Sequence, residues 1–349
     1  MQRSYQILVT TSLRSGRRID GRGEETSGSL LLGTVDVEAQ TFQFVKSVDV
    51  PESPHRPGRN SVRGAAPFGG GFAVCNTSQL FAFDRDLTRI TGMYSEKRFG
   101  DIHSIAARDG ILYVTATASD SIIGVDRELN KVFEWWAGSE AELAPHMNKH
   151  PMQAVMWDHD FRVRGPYWNR FHINHVLFDT TGDLIVNLPN LDTAQDASKL
   201  WNVTRHRFHM LGGSTLNPMI GKIHDGTILG NYHYLAHTQK GAFLKLSKET
   251  GELLQSVDCS LPLGETTGNP VAIEHGWLRG AVHLYDEVFL VGQSKLTMYL
   301  VDMACGTRSD PLTLVGVPGD LGHPGLAIYC MTKTTVEDGA GRRAFTKDD

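Results

Sequence analysis

One pattern recurs along this chain and constrains its fold more than anything else in it. A β-rich run and a small polar pause lead into a second β run ending near Asp; a turn and a third run follow. The copies occupy residues 69–94, 103–136, 181–211, 224–257 and 285–315. A sixth stands at the start, where ILVTTS is followed by SLLLGTVDVEAQTFQFVKSV. Alternating residues such as Leu112 and Val114, or Ile122 and Gly124, suit pleated strands. Asp36, Asp84, Asp126 and Asp302 recur where the third strand should end, and there a carboxylate can cap the following turn by accepting backbone N–H bonds. Each unit makes four short antiparallel strands. Such a small sheet cannot bury both faces alone, so the units must stack radially. The predicted fold is all-β, a six-bladed β-propeller. A seven-bladed ring is the fallback, because residues 138–170 have room for a degenerate blade.

The first copy lacks an innermost strand, and HPGLAIYCM at residues 323–331 is a spare one. The C-terminal strand is therefore expected to close the ring next to the N-terminal strands. Residues 1–334 make a single domain on this reading, and residues 335–349 a polar, mobile tail. Two insertions break the rhythm. Residues 12–28 read as a polar loop. Residues 138–170 carry His146, His150, His159 and several aromatics, and read as a lid over one end of the channel.

The net charge of −5 supplies no broad basic field for nucleic acid or an anionic membrane. No apolar run approaches the roughly 18 residues of a membrane span. The four cysteines show no metal-type spacing and read as free thiols in a reducing compartment, so a cytoplasmic location is expected, with no signal peptide visible. The expected partner is a small-molecule substrate.

In a propeller the innermost strand of each blade lines the axis. His103 lies seven residues before Gly110 and His175 seven before Gly182, which places the two histidines at equivalent positions. Arg63 and Arg279 match each other in VRGAAPFGGGFAV and LRGAVHLYDEVFLV, one place from the histidine position. His323 begins the closing strand, and the remaining copy offers Asn217. Five of the six blades thus aim His or Arg at one neighbourhood, with His172, Asn174, His224 and His283 as neighbours. Arginine forks and imidazoles suit an anion such as sulfate, phosphate or carboxylate. A neutral histidine among them can act as nucleophile or proton carrier. His103, His175 and His323 are the candidate catalytic residues, and Arg63, Arg279, His172, Asn174 and Asn217 the candidate substrate-binding ones. The same three histidines converging on the axis would make a site for a divalent transition metal (zinc, iron or copper).

KVFEWW at 131–136, NRFHINHVLFDTTGDLIVNL at 169–188 and LWNVT at 200–204 resemble the arylsulfotransferase-like six-bladed β-propeller superfamily. IHSIAARDGILYVTATASDSIIGVD resembles the preceding blade of that group, and the resemblance is best over residues 100–205. It implies transfer of a sulfuryl group between phenols without a nucleotide donor, through a sulfo-histidine held among further His and Arg residues. Carried over, His103, His175, Arg279 and His323 would fill those roles. The leading expectation is a group-transfer enzyme acting on a small phenolic or anionic substrate with no cofactor. A metal-dependent lyase, isomerase or oxygenase is the alternative, and a non-catalytic ligand- or protein-binding propeller the third.

Overall fold

The computed structural model describes residues 3–18, 24–55, 61–144, 159–163, 171–192, 197–209, 223–238, 240–260, 278–293, 296–318 and 326–334. Six small sheets surround one axis. In chain order from the axis outward, blade 2 holds strands Gly64–Phe68, Gly71–Cys75, Leu80–Phe83 and Ile90–Tyr94. Blade 3 holds Ile102–Arg108, Ile111–Ala116, Ser121–Val125 and Lys131–Trp136. Blade 4 holds Val176–Phe178, Leu184–Asp192, Ala197–Asn202 and Arg207–Phe208. Blade 5 holds Ile223–Leu229, Tyr232–His237, Ala242–Ser247 and Leu253–Asp258. Blade 6 holds Gly280–Tyr285, Val288–Gly292, Met298–Asp302 and Thr307–Arg308.

Blade 1 is shared between the chain ends. Its inner strand, Leu326–Lys333, pairs antiparallel with Ser4–Arg18, and Leu30–Asp36 and Thr41–Val48 follow outward. The expected closure is therefore present. A short strand, Thr313–Val315, adds in parallel to the outer edge of the blade. The 12–28 segment departs from the expected loop. The first strand runs on to Arg18 and Glu24–Ser27 folds back on it, pairing Leu13 with Ser27 and Arg14 with Thr26. Backbone pairing satisfies this polar stretch without an apolar pattern to announce it.

Why six units close is visible in the core. The buried apolar residues fall into six main clusters, one at each junction between neighbouring blades. Ile7, Val9 and Phe42 meet Leu290 and Met298 between blades 1 and 6. Leu8 and Leu30 meet Val74 and Phe81 between blades 1 and 2. Phe68 and Cys75 meet Ile105 and Val114 at the next junction. Ile122 and Trp135 meet Val176, Val186 and Trp201, Leu177 and Ile185 meet Leu235 and Leu244, and Tyr234 and Phe243 meet Phe289 and Tyr299. Each buried side chain of this size contributes about 1.5–3 kcal/mol, so no blade can leave without exposing two such faces. Blades 3 and 4 pack directly on each other, so the described residues form six blades and not seven.

The predicted aspartate caps form in all four blades concerned. Asp36 Oδ1 accepts from the Ala39 N–H at 2.9 Å, Asp84 Oδ1 from Thr88 at 2.7 Å, Asp126 Oδ1 from Asn130 at 2.7 Å and Asp302 Oδ1 from Ala304 at 2.9 Å. Among the described residues no helix is long and apolar enough to cross a membrane.

Candidate functional site

The site is built by the starts of the inner strands. The best ruler is the residue that closes each inner hairpin. In blade 2 this is Phe68, paired with Gly71, and in blade 3 Arg108, paired with Ile111. In blade 4 it is Asp179, whose N–H donates to the Asp183 carbonyl, and in blade 5 Leu229, paired with Tyr232. Ser104, His175 and Asp225 each stand four residues ahead of the closing residue and so share one rung of three consecutive inner strands. Arg63, His103, Asn174 and His224 stand one residue further toward the mouth, five ahead of the closing residue, and in blades 3 and 5 a bulge falls here, so that His103 and Ser104 both lie opposite Thr115. The glycine offset suggested that His103 and His175 are equivalent; they are one rung apart. Blade 3 turns through Asp109 and Gly110, both with positive φ, whereas blade 4 turns through the longer Thr180–Gly182 loop. Gly182 is thus one residue further from its closing pair than Gly110.

The match between the two arginines holds. Arg63 N–H donates to the Cys75 carbonyl at 2.9 Å and Arg279 N–H to the Gly292 carbonyl at 3.2 Å, in both cases just before the pair that opens the inner ladder, Gly64 with Cys75 and Gly280 with Gly292.

On the outer rung, His103 Nε2 lies 3.1 Å from Asp101 Oδ2, and Arg63 Nη2 lies 3.7 Å from Asp101 Oδ1. His172 meets the His103 ring edge to face, with centroids 4.9 Å apart. Both Asp101 and His172 adopt positive φ, which turns the chain sharply into the inner strands of blades 3 and 4. Burial pushes His103 down to about 3, against the pull of Asp101. Burial alone would raise Asp101, but His103, Arg63 and His172 together hold it well below the usual carboxylate range. Arg63 is permanently cationic, so the consistent state at neutral pH is an Asp101 carboxylate paired with Arg63 and a neutral His103. His103 then donates Nε2–H to Asp101, and its basic lone pair is on Nδ1.

On the inner rung, Ser104 Oγ lies 3.3 Å from His175 Nδ1. His175 Nε2 lies 3.0 Å from the Gly226 carbonyl and 3.6 Å from Asp225 Oδ1. Asp225 accepts the Gly226 N–H at 2.7 Å and the Ala281 N–H at 3.0 Å, which ties blade 5 to blade 6. Burial pushes His175 down to about 4, outweighing the Gly226 hydrogen bond. Burial pushes Asp225 up to about 8, against the Ala281 and Gly226 N–H groups and the charge of Arg279. A β-bulge between Val114 and Ala116 sets the backbone here. Thr115 Oγ1 accepts from the His103 and Ser104 N–H groups and donates to the Ser104 carbonyl, replacing the ladder bonds that the bulge removes.

Asp225 makes stability depend on pH in a defined direction. The native group keeps its proton to about pH 8, whereas an unfolded Asp loses it near 4. Its contribution is complete below the unfolded pKa, falls as pH rises and is gone above about 8. His103 and His175, held neutral, act oppositely below about 6.5. Urea unfolding of wild type and Asp225→Asn should therefore show the difference in stability falling by about 1 kcal/mol per pH unit from pH 5 to pH 8. A difference constant with pH would mean that Asp225 ionises as an ordinary carboxylate.

Other predicted residues are placed differently. Asn174 is only 1% exposed; its amide donates to the Ile223 carbonyl and its oxygen accepts from Asn187, so it joins blades 4 and 5 instead of facing a ligand. His224 Nδ1 lies 2.7 Å from Thr238 Oγ1. His283 belongs to the opposite end of its blade, where Nε2 meets the Asp286 carbonyl in the hairpin. His323 and Asn217 lie outside the described residues, as do residues 145–158 and 164–170 of the insertion and the 335–349 tail. The described piece of the insertion, residues 159–163, sits at the His103 end: Phe161 N–H donates to the Lys97 carbonyl, and its carbonyl packs against Gly100, next to Asp101. Ser104, Asp101 and Asp225 were not singled out from sequence. Counting from the hairpin pairs instead of the glycines finds Ser104 and Asp225.

As metal ligands the described residues fit poorly. No three His, Cys, Asp or Glu among them come together in a way that could hold an ion. Both ring nitrogens of His175 already face protein partners.

No family model matches the chain, and no curated protein matches it. Solved structures of similar fold are numerous, 1312 chains, so the fold alone carries no activity. One of them is a protein of unknown function from Bacteroides caccae. It shares 9% identity at a TM-score of 0.51, over 93% of this chain and 98% of that one. At that identity the likeness speaks for the propeller architecture alone.

Proposed function

We propose that the protein is a group-transfer enzyme that moves a small anionic group, sulfuryl first among them, between phenolic oxygens at the channel mouth. The observation that carries this is the Asp101–His103 pair beside Arg63. The carboxylate holds a buried, neutral imidazole in one tautomer, and a guanidinium stands within ion-pair distance of the same carboxylate. A neutral imidazole so oriented is a nucleophile at ordinary pH, and a nearby arginine suits the oxygens of the group it attacks. His103 Nδ1 takes the sulfuryl group as the S–O bond to the donor phenol breaks. Arg63 and Arg279 hold the sulfuryl oxygens. The acceptor phenol then attacks the sulfo-imidazole, and its proton passes through His175 to the departed phenolate. The partial resemblance of residues 100–205 to the arylsulfotransferase-like propellers supports the same class of reaction.

The test is to incubate the protein with p-nitrophenyl sulfate, with and without a second phenol, and to map adducts on the quenched protein by mass spectrometry. A sulfo adduct on His103, discharged by the acceptor phenol, is the expected result. Turnover without a histidine adduct would overturn the covalent route, and no turnover of aryl sulfates or aryl phosphates would overturn the reading.

A further inference from the structure

Ser104, His175 and Asp225 form a second arrangement in the channel, deeper by one rung than His103. Three successive blades supply one residue each at the same height, which is why they meet across blade boundaries. The Gly226 carbonyl at 3.0 Å takes the Nε2–H of His175, which leaves the Nδ1 lone pair facing the Ser104 hydroxyl at 3.3 Å. Asp225 Oδ1, at 3.6 Å, flanks the same ring nitrogen, so both neighbours of Nε2 hold the ring from the side away from Ser104. Thr115 pins the Ser104 backbone on both its N–H and its carbonyl, so the hydroxyl alone turns. A hydroxyl facing a base, and a base fixed by a third group, is the arrangement that activates a serine.

We propose that Ser104 is a second nucleophile of this channel and that it hydrolyses small acyl esters. This goes beyond the transfer reading, with which it shares His175 and the charge of Arg279 but not the nucleophile. Ser104 Oγ attacks the ester carbonyl carbon while its proton moves to His175 Nδ1. The tetrahedral adduct collapses, the C–O bond to the alcohol breaks, and His175 returns the proton to the leaving oxygen. Water repeats the sequence: its proton goes to His175, its oxygen bonds to the acyl carbon, and Ser104 departs and regains its proton. Arg279 at the start of the blade 6 inner strand, near enough to depress Asp225, brings positive charge to the same end of the channel. Ser104 and His175 are each 8% exposed, so only a slim acyl group such as acetyl can reach them.

The experiment treats wild-type protein with p-nitrophenyl acetate, quenches it in acid, maps the acetyl adduct by tandem mass spectrometry, and follows the rate of hydrolysis. An adduct on Ser104 is expected, with hydrolysis reduced at least about 100-fold in Ser104→Ala and in His175→Gln. No adduct on Ser104 of the wild-type protein overturns the proposal, and so does undiminished hydrolysis by folded Ser104→Ala. If that variant does not fold, the wild-type adduct map decides. The transfer reading is scored by a different probe on a different residue, a sulfo group on His103, so each can fail alone.

Discussion

His103→Gln should abolish sulfuryl transfer while leaving the propeller folded. Glutamine keeps the approximate size and can still donate a hydrogen bond to Asp101, but it has no basic nitrogen. Loss of a general base costs about 10²–10⁴ in rate, and loss of a covalent nucleophile that works in a unit costs up to about 10⁶. The expected fall in kcat is therefore at least about 10⁴, with no sulfo adduct anywhere on the protein. The melting temperature checks the fold, since His103 contacts polar partners at the mouth and takes no part in the six apolar junctions. Asp101→Asn is an informative companion. It keeps the shape but removes the charge that fixes the tautomer, and it should lower kcat while the histidine still takes some adduct. Full activity of His103→Gln would move the chemistry away from this rung.

Arg279→Ala should weaken anion binding far more than it weakens folding. Arg279 is 3% exposed and stands at the strand start that matches Arg63. Truncating one member of a buried, charge-assisted pair costs about 2–5 kcal/mol, or roughly 30- to 5,000-fold in affinity. Titration of the wild type and the variant with sulfate and with an unreactive aryl sulfonate, followed by calorimetry, measures this directly. Equal affinities, with Arg63 intact, would mean that the mouth does not bind anions through Arg279. Asp225 supplies a further signature: without the Arg279 charge its pKa should rise further, since that charge opposes the effect of burial.

The architecture was legible because it rests on repetition. A strand that alternates, an aspartate that caps and a unit too thin to bury itself recur at intervals, and each recurrence reinforces the others. The caps at Asp36, Asp84, Asp126 and Asp302 are local events, complete within a few residues, and so they read directly from sequence. The closing strand was legible by subtraction, as the one strand without a blade.

The site was legible only in part. The sequence points to the strand starts, and Arg63 and Arg279 match because their flanking segments repeat. It does not measure hairpin loops to one residue. Blade 4 carries one more loop residue than blade 3, and that difference moves His175 down a rung, away from His103 and onto Ser104. Asn174 looks like a ligand-facing residue in sequence and is a bolt between blades in space.

What the sequence determined by itself is the fold class, the blade count, the ring closure and the polar character of the channel mouth, because each follows from periodicity and from burial that every unit needs. The tertiary structure alone decided which side chains meet. Each inner strand lends one residue per rung, and the partners of Asp101, Ser104, His175 and Asp225 come mostly from other blades, tens of residues away in the chain. Their register depends on loop lengths and on the Thr115 bulge, and no local pattern encodes a distance between blades.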